Sequence, residues 1–361
     1  MFTMRRVLMV LVAMMWTHSS FAQINNVENL IRGGLHDTNL LLESYLKPFG
    51  KGFGANLNNG WFNTGRTHKF LGFDIMVTGN AAIAPVSDKT FDVSGLDLQN
   101  LRLVNPGVDT NSPTVVGDEE SGPALELVLP NPQTGQDEVI GPIVLPQGSG
   151  FRAVPSPMIQ ASLGIFSNTD VILRFFPETE IDDEVGNIKL FGVGVKHDVN
   201  QWFGGDLLPL DLSIMAGYTV FQASSGHLNL QPDLNAVPTG ASYDNQKVEI
   251  EAKSFTANLI ASKQFAILTL FGGVGIESST VDLKLKGTYP VTVIEDDPAS
   301  ANFGQRVILD LSDPTDLSFD GANSRRAFVG LRLNLLIVAI HGSYTFSDYP
   351  VATVGVGLSI R

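Results

Sequence analysis

Cysteine is absent from all 361 residues, which excludes disulfide-stapled small domains and every thiolate metal or redox site. Beyond the first two dozen residues the chain also lacks any uninterrupted apolar run of the roughly 20 residues that a membrane-spanning helix requires. Basic residues are scarce. The 23 Lys and Arg stand against 37 Asp and Glu, and a formal charge of -14 repels the phosphates of nucleic acid.

What is present begins with an export signal. Arg5 and Arg6 precede an apolar run from Val7 to Trp16, and Ser20-Phe21-Ala22 supplies small residues for a signal peptidase. The run is about half the length of a spanning helix, so residues 1–22 are expected to be cleaved and the mature chain to start near Gln23. An exported chain with no spanning helix is either soluble or a closed barrel.

The remainder is patterned with a period of two. Leu71, Phe73, Ile75, Val77, Ala81 and Ile83 alternate with Gly72, Asp74, Thr78 and Asn80, and Leu212, Ile214, Ala216, Tyr218 and Val220 alternate with Asp211, Ser213, Gly217 and Thr219. That period belongs to strands. Similar segments fall at Met158 to Phe166, Thr169 to Phe176, Asn187 to His197, Lys247 to Ser262, Phe265 to Lys284, Arg325 to Asn334, Ile337 to Phe346 and Val351 to Ile360. Together they predict an all-β fold of about ten strands, within a range of about 8 to 14.

Alternation alone also fits a sandwich, and the connections decide between the two. Those over 85–157, 177–186, 223–246 and 285–324 are long, with a short last one on the same rim near Ser347 to Pro350, whereas those at Ser167-Asn168, Lys263-Gln264 and Leu335-Leu336 are tight, with 198–209 intermediate. Long loops on one rim and short turns on the other predict an antiparallel transmembrane β-barrel over 69–361, with both termini periplasmic. Acidic clusters such as Glu295 to Asp297 and Asp310 to Asp316 fall in the long loops. They are read as solvated surface, with divalent cations as a possible partner. Outer-membrane lipid is the expected surround. Phe175, Phe176, Phe221, Phe265, Phe346, Tyr349, Trp202 and Phe203 are candidates for its interfacial girdles.

Between the signal and the first strand the period changes. Residues 23–68 are expected to hold a short helix near Val27 to Ile31 and a second, capped by Asp37 or Thr38 and stopped by Pro48 and Gly50. A Gly- and Asn-rich stretch to Gly65 follows. Some forty residues bury too little surface to fold alone, so the segment must dock as a plug in the bore or as a cap beneath it. Its anchors would be Leu41, Leu42, Tyr45, Phe49, Phe53, Trp61 and Phe62. Strand parity puts Asp74, Asn80, Arg174, Lys196, Asp211, Asn258, Arg332 and His341 toward the lumen, as charges that brace the plug or set ion preference.

Thr353-Val354-Gly355-Val356-Gly357-Leu358-Ser359-Ile360 resembles the carboxy-terminal signal that outer-membrane barrels present to their insertion machinery, although Arg361 replaces the usual final aromatic residue. Glu43 to Gly65 and Lys189 to His197 resemble an uncharacterised outer-membrane barrel family, a domain of unknown function. The order of signal, helix, Gly/aromatic stretch and barrel is similar to the long-chain fatty-acid transporters, and that resemblance implies an amino-terminal hatch. The hatch motif Asn-Pro-Ala is missing, so no substrate follows from it.

No enzyme is expected. His341-Gly342-Ser343 lacks a visible third partner, and Ser44-Tyr45-Leu46-Lys47 lacks a companion Lys-Thr-Gly. Glycines such as Gly192, Gly194 and Gly275 lie within strands, where they relieve crowding and do not cradle phosphate. No cofactor or metal centre is expected. The reading is a passive transporter or channel for small, even hydrophobic, molecules gated by its amino-terminal segment. The alternative is a surface scaffold or adhesion barrel acting through acidic loops.

Overall fold

A computed structural model describes residues 34–107, 110–182, 186–203, 209–224 and 230–360. The expected signal and the helix near Val27 to Ile31 lie outside the described residues.

Ten strands form the barrel: β1 Phe73–Ile83, β2 Ala153–Ile165, β3 Thr169–Asp182, β4 Gly186–Asp198, β5 Asp211–Ser224, β6 Lys247–Phe265, β7 Leu268–Lys286, β8 Ser324–Leu335, β9 Val338–Phe346 and β10 Val351–Ile360. Each pairs antiparallel with the next. β10 then returns to β1 with Ile360 opposite Phe73 and Thr353 opposite Asn80. Closure leaves the ring without an unpaired edge, which is what a strand needs to sit in lipid.

Parity sorts the two faces. In β1 the buried residues are Asp74, Met76, Thr78, Asn80 and Ala82, while Phe73 and Ile75 are exposed. In β5, Ser213, Met215, Gly217 and Thr219 turn inward and Ile214, Ala216 and Tyr218 outward. The barrel is apolar outside and polar inside, the reverse of a soluble protein.

β6 and β7 run 19 residues each. At about 3.3 Å per residue such a strand reaches about 60 Å, more than twice an apolar band of about 25 Å. The outward side chains record where the band ends. Phe255, Leu259, Leu270, Val274 and Ile276 are exposed apolar residues, and higher on the same face come Glu251, Lys253, Asp282 and Lys284. Phe175, Phe265, Phe346, Trp202 and Phe203 are exposed, as girdle residues would be. The other three girdle candidates are corrected: Phe176 and Phe221 pack into an interior cluster, and Tyr349 is buried.

The upper halves of these strands carry a folded layer. The connection over 85–157, expected as loop, contains a three-stranded sheet of Leu101–Leu103, Ala124–Asn131 and Gln136–Val144. It also contributes its last residues to β2, so Pro155 and Pro157 lie within a barrel strand opposite Ala81 and Gly79. Proline removes one donor from a ladder and does not forbid the extended backbone, so the strand starts at Ala153 and not at the expected Met158. Thr288–Ile294 pairs with Arg306–Ser312, and Thr315–Asp320 continues the sheet along upper β7 where β8 has ended.

The helix also exceeds its expected limits. α1 spans Leu35–Leu57 with Pro48 inside it. Proline there forfeits one helical hydrogen bond, and packing compensates. Pro48, Gly50, Gly52 and Gly54 are all buried, and a Cβ on Gly52 would stand 2.8 Å from Val154 Cγ2. Glycine is what lets the helix approach the wall. The expected side-chain cap is absent, because Asp37 has another task.

Candidate functional site

The inserted segment runs from one rim to the other. At the long-loop end, the Asp37 carboxylate accepts backbone N–H bonds from Gln99 at 2.7 Å and from Asn100 and Leu101 at 2.8 Å. Leu41 and Leu42 are buried among Val93, Leu101, Leu125, Leu127 and Leu145, all from the loop layer. Tyr45 O accepts from Val115 N–H, and Tyr45 Oη donates to Gln147 O at 2.8 Å. Burial pushes the Tyr45 hydroxyl up to about 12, so it stays protonated as a donor. Burial and the neighbouring Asp88 carboxylate likewise raise Tyr349, whose hydroxyl donates to Asp88.

Below this layer α1 enters the bore. Phe49 and Phe53 stack at 6.0 Å, and Phe53 meets Phe221 edge-on at 4.7 Å. Asn56 Nδ2 donates to Val154 O at 2.6 Å, and Asn80 Nδ2 donates to Asn56 O at 3.3 Å. Where the helix ends, its last carbonyls need donors. The wall provides them from guanidinium groups. Arg174 Nη1 donates to Leu57 O at 2.8 Å and Nη2 to Asn59 O at 2.6 Å. Arg326 Nη1 donates to Asn58 O at 2.8 Å and Nη2 to Asn59 Oδ1 at 2.6 Å, with Glu277 at 3.3 Å as counter-ion.

Trp61 is the apolar centre of the bore. It lies among Ile172, Met215, Ile260, Phe271 and Phe328, with the Arg174 guanidinium 3.7 Å from its ring centroid. Glycines make the space, since a Cβ on Gly194 or Gly217 would stand 2.8 Å or 2.7 Å from the indole. Phe62 packs on Phe328 at 4.8 Å, and Gln160 Nε2 donates to Trp61 O at 3.3 Å.

At the short-turn end the anchor is ionic. The His68 ring is buried between two carboxylates, 3.4 Å from Asp74 and 3.1 Å from Asp170, and the His68 backbone N–H donates to Asp170 Oδ1 at 2.8 Å. Lys196 Nζ lies 3.1 Å from Asp170 and donates to Arg66 O at 3.0 Å. The cluster carries one net negative charge with His68 neutral and none with His68 protonated. Arg332 reaches Asn63 Oδ1 from β8.

Of the lumen candidates, Asp74, Asn80, Arg174, Lys196, Asn258, Arg332 and His341 are all buried and inward. Asp211 stands apart at the short-turn mouth, 3.4 Å from the half-exposed Arg66. Among the described residues neither ring nitrogen of His341 has a hydrogen-bond partner, and no dyad with Ser343 is assembled there. Among the segment candidates, Tyr45, Phe49, Phe53, Trp61 and Phe62 lie along the path already described, with Leu41 and Leu42 above it. Sequence reasoning missed Asp170, Arg326, Gln160, His68 and Asn59. The first two were accessible to it, because Asp170 shares parity with Arg174, and Arg326 with Arg332.

The two ends of the described chain stand at opposite rims. Gly34 adjoins Asn100 in the loop layer, whereas Ile360 pairs with Phe73 at the short-turn rim. The amino terminus expected in the periplasm lies outside the described residues.

These features define a class: a transmembrane β-barrel of the outer-membrane type whose bore is filled by its own amino-terminal segment. The chain belongs to the family of unknown function DUF6588, whose model matches residues 3–360. No curated protein matches it. Solved structures similar to it include Ail, the attachment invasion locus protein of Yersinia pestis, at 11% identity over 81% of this chain and 99% of that one, with a TM-score of 0.23. The translocator domain of autotransporter NalP from Neisseria meningitidis is 11% identical over 81% and 90%, with a TM-score of 0.26. The outer-membrane transporter YddB from Escherichia coli is 10% identical over 80% and 41%, with a TM-score of 0.28. Likenesses of this size carry no functional argument.

Proposed function

We propose that the protein is a passive outer-membrane channel for small polar solutes, closed in the described form by residues 35–68, with the long-loop rim outside the cell and the short turns in the periplasm. The observation that carries this reading is the polarity of the wall behind the segment. Thr78, Asn80, Ser156, Gln160, Ser213, Thr219, Ser254, Thr256 and Asn258 all turn inward. Several of their polar atoms, including Thr78 Oγ1, Ser213 Oγ, Thr219 Oγ1 and Ser254 Oγ, meet no hydrogen-bond partner among the described residues. A wall meant only to grip a permanent plug gains most from apolar contacts, because an unmatched buried hydroxyl costs about 1–3 kcal/mol. Water that replaces the segment would satisfy those hydroxyls. The wall's polarity favours hydrophilic solutes over the hydrophobic ones the transporter resemblance brings to mind.

The test is conductance in planar bilayers. Deleting residues 34–66, or replacing both clamps as Arg174→Met and Arg326→Met, is expected to raise single-channel conductance or the frequency of opening. A trace as closed as that of the intact protein in both variants would remove the gating role.

A further inference from the structure

Arg174 and Arg326 meet one residue of the inserted segment from opposite walls. Arg174 stands on β3 and Arg326 on β8, with β4 to β7 between them along one arc of the ring and β1, β2, β9 and β10 along the other. Arg174 reaches the Asn59 backbone oxygen at 2.6 Å and Arg326 its side-chain oxygen at 2.6 Å, so a single residue bridges the two guanidinium groups across the bore. Both arginines are buried. The acceptors that the segment gives them, Leu57 O, Asn58 O and both Asn59 oxygens, are all uncharged. The wall gives Arg174 the neutral Gln160 Oε1 at 3.2 Å and, among the described residues, no carboxylate, whereas Arg326 has Glu277 at 3.3 Å. Two cations share one counter-ion at this level.

We propose that the open bore selects small anions, with carboxylate or phosphate oxygens passing between Arg174 and Arg326 where the segment's own oxygens lie in the closed form. The inference rests on the gating role proposed above and names the class of solute. A guanidinium keeps its charge and presents five N–H donors in a fixed fork. When the segment withdraws, those donors lose the neutral oxygens of residues 57–59, and an anionic oxygen is a stronger partner than the water that enters. A cation at the same level meets two guanidinium groups against one carboxylate and is repelled. Toward the short turns the buried Asp74 and Asp170 stand against the buried Lys196 and Arg332, so these four add no net charge there. Exposed loop carboxylates such as Asp296 and Asp297 stand outside the ring, where salt screens them beyond about 10 Å, while the buried pair is screened much less.

The experiment places the full mature chain in planar bilayers under a potassium chloride gradient. Asn59→Ala loosens the segment by removing the oxygen that accepts from Arg326 and Thr345, and leaves the wall unchanged. Deletion of 34–66 serves as a second background. The reversal potential of the open state is expected to show chloride preferred over potassium. Arg174→Gln and Arg326→Gln should each lower that ratio about fivefold, the weight of one unit charge at about 4 Å in water. Arg174→Lys should retain it, and Glu277→Gln should raise it, a change of sign that a merely structural role would not give. Acetate and inorganic phosphate, added separately, should each reduce the chloride current, and the lower blocking concentration tells carboxylate from phosphate. A current untouched by both overturns the oxyanion assignment. Openings that prefer potassium, or a ratio unmoved by all three neutral substitutions, overturn the anion filter and leave the gate standing. A chain that stays closed in both backgrounds overturns the gate and the filter together.

Discussion

Trp61 shows how much of this molecule is decided by single side chains. An indole in the middle of a polar bore needs wall positions with no side chain. Gly194 and Gly217 occupy such positions on neighbouring strands in direct register. Trp61→Ala removes the apolar centre while leaving the Arg174 and Arg326 bonds to the segment backbone. It is expected to destabilise the folded barrel by about 3–5 kcal/mol, as large aromatic truncations in packed interiors do. Denaturant unfolding in lipid vesicles reads this directly, and a loss under about 1 kcal/mol would mean that the tryptophan is not packed as described. Parity could not say that Arg174 would spend its donors on Leu57 and Asn59 carbonyls 115 or more residues away in sequence.

Among elements, α1 is where local rules and tertiary structure part company. Pro48 and the glycines after it read as a helix stop. The helix continues to Leu57 because loop, wall and guanidinium groups surround it, and intrinsic propensity is small beside such packing. Its 23 residues span about 35 Å. That length carries the chain from the loop layer, where Asp37 is clamped, into the bore. The direction is testable because the chain has no cysteine to confuse labelling. Cysteine at exposed His36 should react with a membrane-impermeant maleimide on intact cells. Cysteine at Leu336, fully exposed on a short turn, should react only after the outer membrane is permeabilised. The opposite labelling pattern would reverse the orientation.

For the whole molecule, closure is the organising fact. A ring of ten antiparallel strands satisfies its own backbone within the membrane, and the exposed apolar residues then have lipid as their solvent. The belt implies a depth dependence along a single strand. Val274→Arg, within the apolar band of β7, is expected to cost up to about 2–4 kcal/mol, whereas Ser278→Arg, above it on the same face, should cost about 0–1 kcal/mol. Equal penalties in vesicle unfolding experiments would show that the band does not lie where these side chains place it.

Ten strands, their parity, the unequal connections and a docked amino-terminal segment were legible in the sequence, because each is a local or periodic property that neighbouring residues impose on one another. The loop layer over 101–144, the length of α1, the pairing of His68 with Asp74 and Asp170, and the convergence of Arg174 and Arg326 on Asn59 were not. These depend on groups far apart in the chain meeting inside a closed ring, and no local pattern encodes which donor a distant carbonyl will find. The strand period determined which way each side chain points. Only the tertiary structure decided what it points at.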